Sequence, residues 1–192
     1  MRDAPDHLAV AVRVAATLDR LGVRHTIGGS IAASFAGEPR STIDIDFVAA
    51  LTHDHVADLV AALEPVFYVS PEALHRAIDV VGTANLIHQD SQIKVDLFIA
   101  GGTPIDDQQL ARRQRVEVRP GENIYIHPPE DILLQKLRWF RRGGGLSDRQ
   151  WRDIVSIVRT QGSRLDRAYL EANAPLLEVS AELERALNES TT

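Results

Sequence analysis

The hydrophobic and polar positions of this chain follow two periodicities that alternate along its first two thirds. Residues 8–22 place apolar side chains at helical spacing and end in a glycine, which predicts an opening helix. Segments in which apolar and polar residues alternate predict strands at 24–27, 41–49, 83–89 and 92–100, with a hairpin at 115–127. Helical spacing returns at 30–37, 53–66 and 71–81, and it prevails from residue 128 onward. This order predicts an α+β domain over residues 1–127, followed by a helical subdomain over 128–192.

The composition narrows the classes of function. The 192 residues include no cysteine, which excludes disulfides, thiolate metal sites and a cysteine nucleophile. No apolar run approaches the ~18 residues of a membrane span. The first residues are acidic and contain proline, where a secretion signal is basic and then apolar. We therefore expect a cytoplasmic protein.

The net charge of -6 conceals a basic stretch. Residues 112–164 contain twelve Arg and Lys against six Asp and Glu, a local balance of +6. Clustered cations of this kind bind the phosphates of a nucleotide or a nucleic acid, or form the solvated face of arginine-rich helices. Charge by itself leaves both interpretations open.

Aspartates alternate with apolar residues on two of the predicted strands. Successive side chains of a strand point to opposite faces, so Asp44 and Asp46 share one face, with Cα atoms roughly 6.5 Å apart. Lys94 and Asp96 share a face of the later strand in the same way. If the two strands are neighbours, three carboxylates converge. Carboxylates at such distances raise each other's pKa unless a cation lies between them.

Carboxylate oxygens are the ligands that Mg²⁺ prefers. Three of them suit a two-ion site, in which one ion activates an attacking hydroxyl and the other steadies a triphosphate. Gly28, Gly29 and Ser30 precede a predicted helix, where glycine permits close approach of the backbone and the helix N-terminus offers free N–H groups to phosphate. Each motif alone is common, as a solvated strand face or as a turn. Their order along one chain favours phosphoryl chemistry.

These residues resemble the signature of the nucleotidyltransferase superfamily related to DNA polymerase beta: Gly-Gly-Ser opening a helix, then Asp-x-Asp, then a separate third Asp. The segment GGSIAASFAGEPRSTIDIDF further resembles a bacterial branch that includes AbiEii-type toxins and small nucleotidyltransferases. In that branch an arginine, here Arg40, precedes the Asp-x-Asp strand, and a lysine, here Lys136, lies on a later helix. The resemblance implies a nucleotidyltransferase fold, with a mixed, mostly antiparallel sheet flanked by helices and a C-terminal helical subdomain.

The resemblance also implies roles for single residues. The catalytic and metal-binding residues, for Mg²⁺ or Mn²⁺ in a two-ion site, are Asp44, Asp46 and Asp96. The nucleotide-binding residues are Gly28, Gly29, Ser30, Arg40 and Lys136. Weaker candidates are Lys94, Arg149 and Asp153, and the last two are spaced so that they can instead form an ion pair on a helix surface.

Helical spacing gives Lys136 independent support. Its neighbours one turn away are apolar, namely Ile132, Leu133, Trp139 and Phe140, so the ammonium lies in the apolar stripe. A buried ammonium needs a partner, which we expect to be a nucleotide phosphate or an active-site aspartate; the alternative is a lysine whose stem covers the core edge. Trp139 and Trp151 both lie on apolar stripes and are predicted to be buried.

The predicted reaction is Mg²⁺-dependent transfer of a nucleoside monophosphate from an NTP, such as ATP, to an acceptor hydroxyl, with release of pyrophosphate. The toxin resemblance and the basic stretch favour RNA, such as a tRNA end, as the acceptor, with an antitoxin protein as partner. A small hydroxylated molecule such as an aminoglycoside is the second hypothesis. A non-catalytic nucleotide-binding module is the third, and the complete set of three aspartates argues against it.

Overall fold

A computed structural model describes residues 6–37, 44–101 and 103–189. The described residues form nine α-helices: α1 His7–Arg20, α2 Gly29–Ala36, α3 His53–Leu63, α4 Pro71–Asp79, α5 Pro104–Ala111, α6 Pro129–Arg142, α7 Asp148–Gln161, α8 Arg167–Asn173 and α9 Ser180–Glu189. They also form seven strands: β1 His25–Ile27, β2 Ile45–Ala49, β3 Phe67–Tyr68, β4 Thr83–His88, β5 Lys94–Ile99, β6 Gln114–Arg119 and β7 Glu122–Ile126. Two short 3-10 turns lie at Gly162–Arg164 and Pro175–Leu177.

The strands form one sheet in the order β3-β4-β5-β2-β1-β7-β6. Four neighbouring pairs are antiparallel, β1 with β2, β3 with β4, β4 with β5 and β6 with β7. The pairs β1 with β7 and β2 with β5 are parallel. The predicted α+β fold with a mixed, mostly antiparallel sheet is therefore confirmed.

Side chains on one face of this sheet form part of the apolar core. The strands β2 and β5 alternate buried and half-buried residues along their lengths, as expected where one sheet face is covered. Helix α1 packs against β1 and β7, and α4 packs against β4 and β5. Helix α1 buries Val10, Val14 and Leu18 at helical spacing. At its start the Asp6 side chain accepts a hydrogen bond from the Ala9 N–H. Gly22, with a φ of +69°, follows its end.

The chain divides into two compact units, Met1–Ser30 with Ser41–Ile126, and Ile31–Arg40 with His127–Thr192. In the second unit, α6 packs against α7, α8 and α9. The Gln161 side chain at the end of α7 donates a hydrogen bond of 2.6 Å to the Ala36 carbonyl. The sequence-based division into domains at residues 127 and 128 stays a prediction.

Three features differ from the sequence-based expectation. Strand β2 begins at Ile45, with Asp44 immediately before it, and residues 41–43 of the predicted strand lie outside the described residues. Strand β3 was not predicted, because two residues are too few to show alternation. Helix α5 was not predicted either, although Thr103 caps its first turn and Pro104 begins it. Within the described ranges, no helix is long and apolar enough to span a membrane.

Candidate functional site

Two of the predicted catalytic aspartates lie side by side on neighbouring strands. Strands β2 and β5 run parallel, and Asp46 is the register partner of Asp96. Their Cα atoms are therefore about 5 Å apart, the spacing between strands. Both side chains point away from the buried face that Phe47 and Leu97 share. The sequence-based condition that the two strands be neighbours is met.

Asp44 and Lys94 extend this pair toward the start of both strands. Asp44 lies two residues before Asp46, and Lys94 lies two residues before Asp96. The Lys94 Nζ atom is 2.8 Å from Oδ2 of Asp96 and 3.9 Å from Oδ1 of Asp44. The ammonium thus lies between carboxylates of both strands. The Asp96 side chain is 16% exposed, while that of Asp44 is 53% exposed.

The turn formed by Gly28 and Gly29 contacts Asp46 of this group. The Gly28 N–H donates a hydrogen bond of 2.8 Å to the Asp46 carbonyl. Gly29 has a φ of +55°, and a Cβ atom added there would lie 1.6 Å from Oδ2 of Asp46. Ser30 follows as the second residue of α2. Glycine is favoured at residue 29 for two reasons: a side chain would overlap the Asp46 carboxylate where it now lies, and the backbone has a left-handed conformation that strains other residues.

The carboxylates of this group act on the Lys94 ammonium. The hydrogen bond to Asp96 raises the pKa of Lys94, and the charges of Asp96, Asp44 and Asp46 act in the same direction. In the described ranges, no three His, Cys, Asp or Glu side chains are placed together so as to hold a metal ion. The donors nevertheless suit Mg²⁺ chemically, since all are carboxylate oxygens, and the absence of a Cβ at Gly29 lets the Asp46 carboxylate lie directly against the start of α2. The roles of the three aspartates as metal ligands stay a prediction.

Asn85 is a neighbour of this group that the sequence analysis did not identify. In the antiparallel pairing of β4 with β5, Asn85 is the register partner of Asp96, so the two side chains emerge on the same face. Asn85 is exposed between the buried residues Ala84 and Leu86, and the sequence indicates this through its alternation of apolar and polar residues. Its partner was not visible, because the register of two strands has no local signal.

In the second unit, Lys136 lies beside Asp153. The Lys136 Nζ atom is 2.9 Å from Oδ2 of Asp153, and the two side chains are 15% and 13% exposed. The partner of this ammonium is thus an aspartate on α7, and not one of the three predicted catalytic aspartates. A contact of Lys136 with a nucleotide phosphate stays a prediction, as does the role of Arg149, which is exposed on α7. Arg40 lies outside the described residues.

The two tryptophans of the second unit differ from each other. Trp151 is buried as predicted, against Phe140 and with the Arg185 guanidinium over its ring. The prediction that Trp139 is buried is wrong, because its side chain is 48% exposed. The Arg142 guanidinium lies 5.7 Å from the Trp139 ring centroid. The ring therefore contributes to an exposed basic surface at the end of α6.

Solved structures that share this architecture include a nucleotidyltransferase-like protein and an antibiotic adenylyltransferase. An antigenic nucleotidyltransferase-like protein from Paracoccidioides brasiliensis matches with a TM-score of 0.58 and 21% identity, over 94% of this chain and 91% of its own. The antibiotic-resistance factor ANT(2'')-Ia matches with a TM-score of 0.53 and 14% identity, over 91% and 97%. The lincosamide antibiotic adenylyltransferase LnuA, with lincomycin bound, matches with a TM-score of 0.52 and 13% identity, over 81% and 98%.

The sequence comparisons found no counterpart: neither a protein-family profile nor a functionally described protein matches this chain. The structural matches have identities of 21% and below, so they bear on architecture. They agree with the fold expected from Gly-Gly-Ser, Asp-x-Asp and the third aspartate. The AbiEii-type branch stays a prediction. The chain has a nucleotidyltransferase fold.

Proposed function

We propose that this protein transfers a nucleoside monophosphate from an NTP to a hydroxyl group of an acceptor, in a Mg²⁺-dependent reaction that releases pyrophosphate. The observation that supports it most directly is the register of Asp46 with Asp96, beside a glycine turn that has no room for a side chain. A merely structural strand pair has no need of two directly opposed carboxylates, since like charges in that position destabilise a sheet.

The roles of the residues follow from their positions. Asp44, Asp46 and Asp96 would hold Mg²⁺, which when bound supplies positive charge to the triphosphate and makes the acceptor hydroxyl more acidic. The backbone N–H groups at the start of α2 would bind phosphate oxygens. Asp96 accepts the proton of the hydroxyl, whose oxygen then bonds to the α-phosphorus. The bond from that phosphorus to the oxygen bridging to the β-phosphorus breaks, and pyrophosphate leaves.

The test is transfer of label from each of the four α-labelled NTPs to candidate acceptors in the presence of Mg²⁺. Asp46→Asn should abolish transfer while keeping the fold, because the amide has the same shape. Asp107→Asn is the matched control. Asp107 pairs with Arg24, which precedes β1, whereas the glycine turn follows β1, so this variant should leave transfer unchanged. Full activity of the Asp46→Asn protein would refute the proposal.

For the acceptor, a small hydroxylated molecule has support from the fold. ANT(2'')-Ia and LnuA are similar to this chain over nearly their whole lengths, and a structure of ANT(2'')-Ia contains an adenylylated tobramycin. Incubation with a panel of aminoglycosides and lincosamides, followed by mass spectrometry, should detect a mass increase equal to one nucleoside monophosphate less water.

RNA is the second candidate acceptor, and the exposed Trp139 with Arg142 beside it favours it. Aromatic rings and arginines together bind single-stranded nucleic acid, because bases stack on the ring and phosphates pair with the cations. If the protein transfers label to total bacterial RNA and the Trp139→Ala variant does not, RNA is the acceptor. Growth arrest on expression, relieved by a neighbouring gene product, would add the toxin role and the antitoxin partner.

A further inference from the structure

Lysine is rare in this chain, and one lysine lies among the three aspartates. Of the 21 Lys and Arg residues, two are lysines, Lys94 and Lys136. Each forms an ion pair with an aspartate, Lys94 with Asp96 at 2.8 Å and Lys136 with Asp153 at 2.9 Å. Where a cation lies against a carboxylate in this protein, arginine is the common choice. The use of lysine beside Asp96 therefore calls for a physical reason.

The first part of that reason is charge balance. Asp44, Asp46 and Asp96 together have a charge of -3, and Lys94 reduces it to -2. The opposed pair Asp46 and Asp96 repel each other, and the ammonium offsets this repulsion through its hydrogen bond to Oδ2 of Asp96.

The second part is competition for the same atom. Metal ligation by Asp96 needs its carboxylate oxygens, and Lys94 holds Oδ2. A lysine ammonium is a compact charge on a flexible stem, whereas an arginine binds a carboxylate with two parallel hydrogen bonds and holds it more firmly. A lysine can therefore leave the carboxylate when another cation arrives.

We propose that Lys94 is a positioning residue that acts as an internal counter-cation for the three aspartates and leaves Asp96 when a divalent ion binds. This inference rests on the proposed function, because it takes the aspartates to be the metal ligands. It follows that Lys94 weakens metal binding and, in the metal-free protein, stabilises the paired strands β2 and β5. A substrate triphosphate, which is itself anionic, offers the displaced ammonium a new partner.

The test is titration of the whole protein with Mn²⁺ alone, followed by electron paramagnetic resonance of the free ion. Lys94→Gln should bind Mn²⁺ about tenfold more tightly than the unaltered protein, since a competing positive charge a few ångströms from the ion is removed. Lys94→Arg keeps the charge and should bind no more tightly than the unaltered protein. Arg119→Gln is the matched control, because Arg119 and Lys94 are equally exposed, at 40% and 41%, and each pairs with an aspartate, Arg119 with Asp6.

A second measurement separates this role from a purely structural one. Without divalent ions, Lys94→Gln should have a lower Tm than the unaltered protein, and Mn²⁺ should raise its Tm by more, because an ion that binds the folded state stabilises it. Adding Asp46→Asn to Lys94→Gln should abolish the Mn²⁺ effect and so locate the ion.

The outcomes distinguish the two proposals. If the unaltered protein binds Mn²⁺ and Lys94→Gln binds it no more tightly, the counter-cation role is refuted and the proposed metal dependence stands. If neither protein binds Mn²⁺, the counter-cation role is refuted, and the metal-dependent reaction is then decided by the label-transfer assay with Mg²⁺, because an ion can bind together with the NTP phosphates. Tighter binding by Lys94→Gln, with no change in Arg119→Gln, supports both.

Discussion

Replacing Gly29 by alanine tests the contact between the start of α2 and the aspartates. The substitution has two separable effects. The first is backbone strain, because Gly29 has a φ of +55° and a left-handed conformation costs an ordinary residue about 1–2 kcal/mol. For a chain of this size, 1 kcal/mol corresponds to roughly 2–4 °C in Tm. Strain alone therefore predicts a decrease of about 2–8 °C.

The second effect is steric. The new Cβ would lie 1.6 Å from Oδ2 and 2.5 Å from Cγ of Asp46, whereas ordinary contact begins at 3.4 Å. The carboxylate oxygen must move by the difference, 3.4 minus 1.6, or about 2 Å, which a rotation of the short side chain can provide. A misplacement of about 1 Å in an active site can cost 100-fold in rate. We therefore expect nucleotidyl transfer to decrease by about 100-fold or more.

Gly22→Ala is the control for strain. Gly22 has a similar φ of +69°, and nothing lies within 4 Å of a Cβ added there. Both variants should lose comparable stability in urea unfolding, and Gly29→Ala alone should lose transfer and weaken Mn²⁺ binding. If Gly29→Ala transfers nucleotide as fast as Gly22→Ala, the carboxylate of Asp46 does not need the position seen here, and the assignment of this turn to the site is wrong.

Three further predictions concern stability and the acceptor. Asp153→Asn leaves the Lys136 ammonium largely buried beside an uncharged amide and should destabilise the fold by about 3 kcal/mol in urea unfolding. The double variant Lys136→Met with Asp153→Leu should recover most of the loss, and no recovery would contradict the pairing. Burial lowers the pKa of His25 below its usual 6.5, so the unfolded chain takes up a proton first and stability should fall as the pH decreases below about 6.5, by at most about 1.4 kcal/mol per pH unit. His25→Phe should reduce that slope, and an unchanged slope would assign it to other groups. Trp139→Ala should change the Tm by less than about 2 °C, since the ring is half exposed, and a larger decrease would show that the ring stabilises the fold.

Several elements could be predicted from the chain because their signals are local. Helix α4 has Ser70 as its cap and Pro71 at its first turn, and both are readable as a start signal. The hairpin of β6 and β7 is readable from two alternating segments around Pro120 and Gly121. Helix α5 shows the limit of such signals, since its start is marked by Thr103 and Pro104 but its apolar residues are too few to show helical spacing.

The sequence by itself determined which residues could share a face: Asp44 with Asp46, and Lys94 with Asp96, because side chains of a strand alternate. The tertiary structure decided which of these faces meet. A shift of one residue in the register of β2 and β5 would pair Asp46 with an apolar residue of the opposite face, and nothing local in either strand specifies that register. It follows from packing Phe47 and Leu97 into one core. The contacts of Lys94 with Asp44, of Lys136 with Asp153 and of Gly29 with Asp46 arise in the same way, from residues distant in sequence that the burial of apolar side chains brings together.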